Sequence, residues 1–138
     1  MTARSTSLET IWIAFRVLGI SLIQIMIFLL LYEAAVEFYV SRFGPMNKVF
    51  GFGMQMNYGM YLLCIITLVS TFAQLFAAEL KAKLVAVSAA ALLWIIYWGN
   101  IANVVPNRFL LISGLGIVSL SVGVLMTSRS GQAELTLE

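Results

Sequence analysis

The stretch that decides the fold is residues 11–31, IWIAFRVLGISLIQIMIFLLL, in which Arg16 is the only charged residue. An α-helix needs about 20 apolar residues to cross a hydrocarbon core about 30 Å thick. Three further apolar stretches follow, at 58–78, 84–101 and 109–126. The chain is 62% hydrophobic and 10% charged, whereas about a quarter of the residues in a soluble protein are charged. The sequence therefore predicts an all-α, polytopic integral membrane protein with four transmembrane helices in a compact bundle.

We expect residues 1–138 to form one domain, with membrane spans near 10–32, 57–79, 83–102 and 109–127. Thr6 and Glu9 have the spacing of a capping box, which predicts a helix start just ahead of Thr10. The first helix then runs to about residue 40, because no proline or glycine pair interrupts it earlier. The polar residues 79–83 predict a tight turn between the second and third helices, and a polar tail is expected from Ser128.

Composition argues against most catalytic chemistry. The chain has no histidine and no aspartate, so the commonest general base and the commonest metal ligand are missing. The single cysteine, Cys64, cannot form an internal disulfide and lies in an apolar stretch. The net charge of +2 is too small an excess to indicate nucleic-acid binding. We therefore expect no enzymatic activity, no catalytic residues, no cofactor, no metal site and no nucleic-acid partner.

Two stripes of small residues indicate close helix packing. Ala82, Ala86 and Ala90 share one face of the third helix. On the fourth helix, Gly116, Ser119 and Gly123 do the same. Small side chains let helix backbones approach closely, which is a main source of packing energy between membrane helices. The spacing alone leaves open whether each stripe faces its own chain or a second protein.

Polar and ionisable residues in the first helix are candidate contacts. Arg16 either extends to the headgroups or has a buried partner. Gln24 is expected near mid-membrane, hydrogen-bonded to another helix, with Ser70, Thr71 and Gln74 as possible partners. Glu33 and Glu37 are four residues apart and share a face, so they form either an acidic turn at the interface or a site for a cation or proton.

Aromatic residues supply further candidates. The third helix ends in a cluster that contains Trp94 and Trp98. Residues 41–57, SRFGPMNKVFGFGMQMN, are too apolar for a solvated loop and too broken for a membrane span. We expect this loop to lie at the interface or against a partner through Phe43, Phe50 and Phe52. The alternative is a loop folded back on its own bundle.

Lysine and arginine counts favour one orientation. An even number of spans places both termini and the 79–83 turn on the same side of the membrane. That side carries four basic residues near the spans and the opposite side three, a small excess that favours cytoplasmic termini. We expect a protein of the bacterial inner (plasma) membrane.

The four-helix layout, with Arg16 before Leu18 and Gly19, resembles the DoxX-type small membrane proteins. The resemblance covers that short stretch and the helix count. It therefore transfers no residue roles to this chain.

Together these features predict a non-catalytic structural or accessory subunit of a larger membrane complex. Its partners would be the lipid bilayer and other membrane subunits, or further copies of itself. The alternative is a small oligomeric transporter or channel for an ion or small solute. The candidate partner or lipid contacts are Arg16, Gln24, Glu33, Glu37, Phe43, Phe50, Phe52, Trp94, Trp98, Gly116, Ser119 and Gly123.

Overall fold

A computed structural model describes residues 3–43, 52–103 and 106–135, with side chains for 8–42, 55–103 and 106–129. It contains helices α1 (Ala3–Phe43), α2 (Phe52–Phe76), α3 (Leu80–Ala102) and α4 (Pro106–Leu135). The described residues contain no β-strand. All four helices are long and apolar enough to cross a membrane. The predicted all-helical, four-helix fold is confirmed.

Several helix ends differ from the sequence-based expectation. Thr6 lies inside α1, which begins at Ala3, so the predicted capping box does not mark a helix start. Residues 41–43 and 52–57 are helical, and this shortens the predicted 41–57 loop at both ends. No proline occurs in either segment, and the one glycine there, Gly53, lowers helix propensity without forbidding the helix.

The fourth helix is longer than predicted at both ends. It begins at Pro106, where the fixed φ of proline suits the first helical position and its missing N–H removes no hydrogen bond. It continues to Leu135, so the expected polar tail from Ser128 is helical over residues 128–135. Sequence polarity marked the end of the apolar stretch correctly, but a polar helix can continue beyond the membrane.

Consecutive helices run antiparallel. Lys83 near the start of α3 contacts Thr127 near the end of α4, and Trp94 further along α3 contacts Ile112. Backbone contacts link α1 with α2 and α4, link α3 with the same two helices, and also link α2 with α4. Thus α2 and α4 each pack against both α1 and α3, and they also meet, less extensively, across one diagonal of the bundle.

The turn between α2 and α3 is short. The Ala77 amide donates to the Ala73 carbonyl at 3.1 Å, which continues the α2 hydrogen-bond pattern by one residue. Glu79 is the N-cap of α3, and its carbonyl accepts from the Lys83 amide at 3.2 Å. The predicted tight hairpin at 79–83 is therefore present, with its turn a few residues earlier.

The bundle differs from a soluble protein in that it exposes much apolar surface, although apolar side chains also fill part of its interior. Large apolar side chains point outward, as at Trp12, Leu22 and Ile96, which are 65%, 63% and 69% exposed. Glutamine, serine and threonine side chains are buried, and Gln24 and Gln74 are completely so. Lipid tails solvate the apolar surface as well as a protein interior would, while buried polar groups need partners. This distribution is the one expected of a chain surrounded by lipid.

Candidate functional site

A polar cluster centred on Gln24 joins α1, α2 and α4 inside the bundle. The Gln24 side-chain Nε2 donates to the Leu120 carbonyl at 3.1 Å, and its Oε1 accepts from the Thr71 hydroxyl at 3.1 Å. The Ser119 hydroxyl donates to the backbone carbonyl of Gln24 at 2.5 Å. The predicted hydrogen bond from Gln24 to another helix is confirmed, with Thr71 as the side-chain partner.

The cluster continues towards the α2–α3 turn through Gln74. Its Nε2 donates to the Ser70 hydroxyl at 2.9 Å, and its Oε1 accepts from the Thr127 hydroxyl at 3.3 Å. The Thr127 carbonyl accepts from Lys83 Nζ at 3.1 Å. A chain of polar contacts therefore runs from the middle of the bundle to its end, where the Lys83 ammonium is only partly buried.

The α2 part of this cluster has a signal in the sequence. Its buried polar residues are Thr67, Ser70, Thr71 and Gln74. They occupy positions i, i+3, i+4 and i+7, which lie on one face of an α-helix. Each of these residues alone is of a type that packed membrane helices tolerate, so none of them individually indicates a polar cluster. Their shared helical spacing identifies a polar seam, whereas the contact between Lys83 and Thr127 has no such signal.

Gly116, Ser119 and Gly123 face the neighbouring helices of the same chain. A Cβ at Gly116 would overlap the Trp94 indole, and a Cβ at Gly123 would overlap the Gln24 amide. Ser119 is fully buried. The prediction that α4 packs through this face is confirmed, and the structure resolves the open alternative for this stripe in favour of intramolecular packing.

The half of the bundle nearer the α3–α4 connection is aromatic. The Trp94 and Trp98 rings are fully buried and meet edge to face, with centroids 5.6 Å apart. Trp94 also contacts Phe28 of α1 edge to face at 5.5 Å, and its Nε1 donates to the Ile112 carbonyl at 3.1 Å. Trp98 lies against Gly59 of α2, where a Cβ would approach the ring to 2.7 Å. We expected these two tryptophans at a partner or lipid contact, but the structure places them inside the bundle.

The alanine stripe of α3 behaves differently from the stripe of α4. Ala90 is buried, Ala86 is half-buried and Ala82 is exposed. An open apolar groove of about 350 Å³ lies between α2 and α3. We call it the α2–α3 groove; it is lined by Leu62, Ile65, Ile66, Val69, Ser70, Ala73, Ala86, Ala89, Ala90 and Leu93.

The ionisable candidates lie at the ends of the bundle. Arg16 is half-buried and shares a cleft with Leu75 and Phe76, the last residues of α2. Glu33 and Glu37 are both exposed. Arg16 is therefore level with one end of the α2–α3 hairpin, and the structure does not bring it together with either glutamate, which lie more than four helical turns further along α1.

The structure does not describe the side chains of the three phenylalanines in the predicted 41–57 loop. Phe50 lies outside the described residues. Phe43 is the last residue of α1 and Phe52 the first of α2, but neither side chain is among those described. The predicted partner contact through these three phenylalanines therefore stays a prediction.

The polar cluster is suited to holding helices together. It contains amide, hydroxyl and backbone groups, and both polar atoms of the Gln24 amide have protein partners. Among the described residues, no group of three or more histidine, cysteine, aspartate or glutamate side chains could hold a metal ion. Such a cluster can fix the relative rotation and depth of α1, α2 and α4, because a shift of any of them would separate buried polar partners.

No family model, curated protein or solved structure matches this chain. The resemblance to DoxX-type proteins thus has no support beyond the residues on which it was noted.

Proposed function

We propose that this protein is a non-catalytic accessory subunit of a membrane complex, and that its α2–α3 groove receives a transmembrane helix of another subunit. The observation that carries the proposal is the contrast between the two small-residue stripes. The stripe of α4 is filled by Trp94 and Gln24 of the same chain. The stripe of α3 instead lines an open groove.

The composition of the groove favours a helix as its occupant. Its lining includes four alanines, Ala86, Ala89 and Ala90 from α3 and Ala73 from α2. Such residues let a third backbone approach closely, and close packing is the chief attraction between helices in lipid. The lining spans residues 62–73 of α2 and 86–93 of α3, which is two to three helical turns.

A non-catalytic role is supported by the residues that the sequence lacks. Histidine and aspartate are absent from the whole chain. The buried polar side chains at the centre of the cluster, Gln24, Thr71, Ser70 and Gln74, are amides and hydroxyls that hydrogen-bond within the bundle. None of these groups is a strong acid, base or nucleophile without an activating partner.

We further propose that the protein resides in the bacterial inner membrane with both termini in the cytoplasm. The antiparallel arrangement of four helices supports termini on one side, and the small basic excess on that side favours the cytoplasm. The predicted contact through Phe43, Phe50 and Phe52 would lie at the opposite membrane surface. Partner binding would then involve both the groove and the predicted 41–57 contact segment.

The test is photo-crosslinking in cells, with a photoreactive phenylalanine derivative introduced in place of Ala89, which lines the groove. The matched control is the same derivative at Leu92, which is 59% exposed on α3 but does not line the groove. We expect the photoreactive group at position 89 to crosslink to one other polypeptide. The crosslinked peptide should come from an apolar, membrane-spanning segment of that polypeptide. Ala86→Trp, which fills the groove, should lower that capture while leaving the bundle folded.

Two outcomes would contradict this proposal. Equal capture from Ala89 and Leu92 would show that the groove is not a specific contact. Capture of a second copy of this chain would replace the accessory subunit with a homo-oligomer. The transport alternative draws less support from the structure, because the polar seam it requires reaches only one end of the bundle. The other half is filled by Trp94, Trp98 and Phe28.

A further inference from the structure

A second cleft, between α1 and the end of α2, combines opposite charges with aromatic side chains. Its volume is about 310 Å³, and its lining consists of Glu9, Trp12, Ile13, Arg16, Leu75 and Phe76. Leu75 and Phe76 are the last two residues of α2 before its turn into α3. The cleft therefore lies at the end of the bundle, beside the last residues of the α2 candidate membrane span, where headgroups are expected to meet the hydrocarbon.

The two charged groups lie at different depths. Arg16 is seven residues further along α1 than Glu9, which corresponds to about 10 Å along the helix axis. Arg16 is thus the inner group and Glu9 the outer one. Helical side chains tilt towards the N-terminus, so the Arg16 side chain leans towards Glu9 and the surface. Both side chains line the same space.

A phospholipid that carries a primary amine has its charges in the matching order. Its phosphate is the inner group and its ammonium the outer one. A guanidinium can donate two parallel hydrogen bonds to phosphate oxygens, and a carboxylate can accept from an ammonium. Trp12 is 65% exposed and is a residue type enriched at this depth of the membrane. Ile13, Leu75 and Phe76 provide an apolar wall for the upper part of an acyl chain.

We propose that this cleft binds the headgroup of an aminophospholipid such as phosphatidylethanolamine, with Arg16 on the phosphate and Glu9 on the ammonium. Phosphatidylglycerol lacks the ammonium and phosphatidylcholine lacks its N–H donors. Both should therefore bind more weakly. The site is distinct from the α2–α3 groove, because the two are lined by different residues.

The experiment is native mass spectrometry of the full chain with equimolar phosphatidylethanolamine, phosphatidylglycerol and phosphatidylcholine. We expect the wild-type protein to retain phosphatidylethanolamine about tenfold over each of the others, the usual effect of one hydrogen bond to a charged group. Glu9→Gln should reduce the preference over phosphatidylcholine, because a neutral amide oxygen accepts from the ammonium more weakly than a carboxylate does. Arg16→Gln should weaken retention of all three lipids, and Arg16→Lys should restore part of it.

The matched controls are Glu79→Gln and Arg129→Gln. Both residues are exposed at the same end of the bundle and neither lines the cleft. These variants should retain lipids as the wild type does, and circular dichroism should confirm that every variant is helical. Equal retention of phosphatidylethanolamine and phosphatidylcholine by the wild type would overturn the proposal. So would a preference for phosphatidylglycerol, or an equal loss in the Arg129 control, since each would indicate attraction to charge alone.

Discussion

The close contact between Gly116 and Trp94 allows a specific prediction of how a substitution at Gly116 changes the free energy of unfolding. Gly116→Ala adds one methyl group to α4 at a point where it would overlap the Trp94 indole. The ring must then move, although it is fully buried between Phe28, Trp98 and α4. A moved ring would also lose the hydrogen bond from Trp94 Nε1 to the Ile112 carbonyl.

The expected cost follows from these two effects. Overpacking a tight core costs about 1–3 kcal/mol, and leaving a buried donor unsatisfied costs about 1–3 kcal/mol. Replacement of glycine by alanine inside a helix returns about 1 kcal/mol through helix propensity. The net destabilisation is therefore about 1–5 kcal/mol. Gly114→Ala, on the same helix, has nothing within 4 Å of its Cβ and should stabilise the protein by up to about 1 kcal/mol.

The assay is reversible unfolding of the detergent-solubilised protein by sodium dodecyl sulfate, followed by circular dichroism and tryptophan fluorescence. We expect the midpoints of Gly116→Ala and Gly114→Ala to shift in opposite directions. The fluorescence spectrum of folded Gly116→Ala should also change, because the environment of Trp94 changes. Equal midpoints for the two variants, with an unchanged spectrum, would refute the packing of α4 on Trp94.

Three other predictions test the remaining parts of the structure. Gln24→Leu should lower the free energy of unfolding by about 1–2 kcal/mol, since a hydrogen bond between membrane helices contributes about 0.6 kcal/mol on average and two are lost. Thr71→Val should lower it by less, and equal losses for the two variants would contradict the central position of Gln24. Single-cysteine variants lacking Cys64 should label at Ser5 and Ser130 from one side of the membrane and at Asn47 from the other; opposite labelling of the two termini would exclude four spans. Alanine at Phe43, Phe50 and Phe52 should reduce co-purification of the partner and leave the bundle folded, and undiminished co-purification would remove the loop from the proposed interface.

The fold could be predicted from sequence because its determinants are local. Four apolar stretches of spanning length required four helices, and nothing in their interiors prevented helix formation. The helix ends were predicted less well because the residues that mark them are ambiguous. The Thr6–Glu9 pair has capping spacing, yet it lies within α1. Pro106 looked like part of a loop, yet it occupies the position at which a helix accepts proline best.

The contacts of the polar residues were harder to predict, since they depend on the relative depth and rotation of the helices. Gln24 had several possible partners on α2, and sequence spacing could not choose among them. The register places it against Thr71, while Gln74 meets Thr127 of α4 instead. Trp94 and Trp98 illustrate the same limit. Tryptophan near the end of a span is commonly an interfacial anchor, but here Gly59 and Gly116 leave space for both rings inside the bundle.

The two small-residue stripes show how the same sequence pattern can have different structural outcomes. A stripe of small residues permits close approach without specifying what approaches. On α4 the occupants are a large ring and a long amide, Trp94 and Gln24, and both form hydrogen bonds that fix them there. On α3 no side chain of this kind lies opposite Ala86, Ala89 and Ala90 in the groove, because the α2 residues that face them are aliphatic or small. The side chains that the neighbouring helix of the same chain presents therefore decide whether a small-residue stripe is filled, as on α4, or open, as on α3.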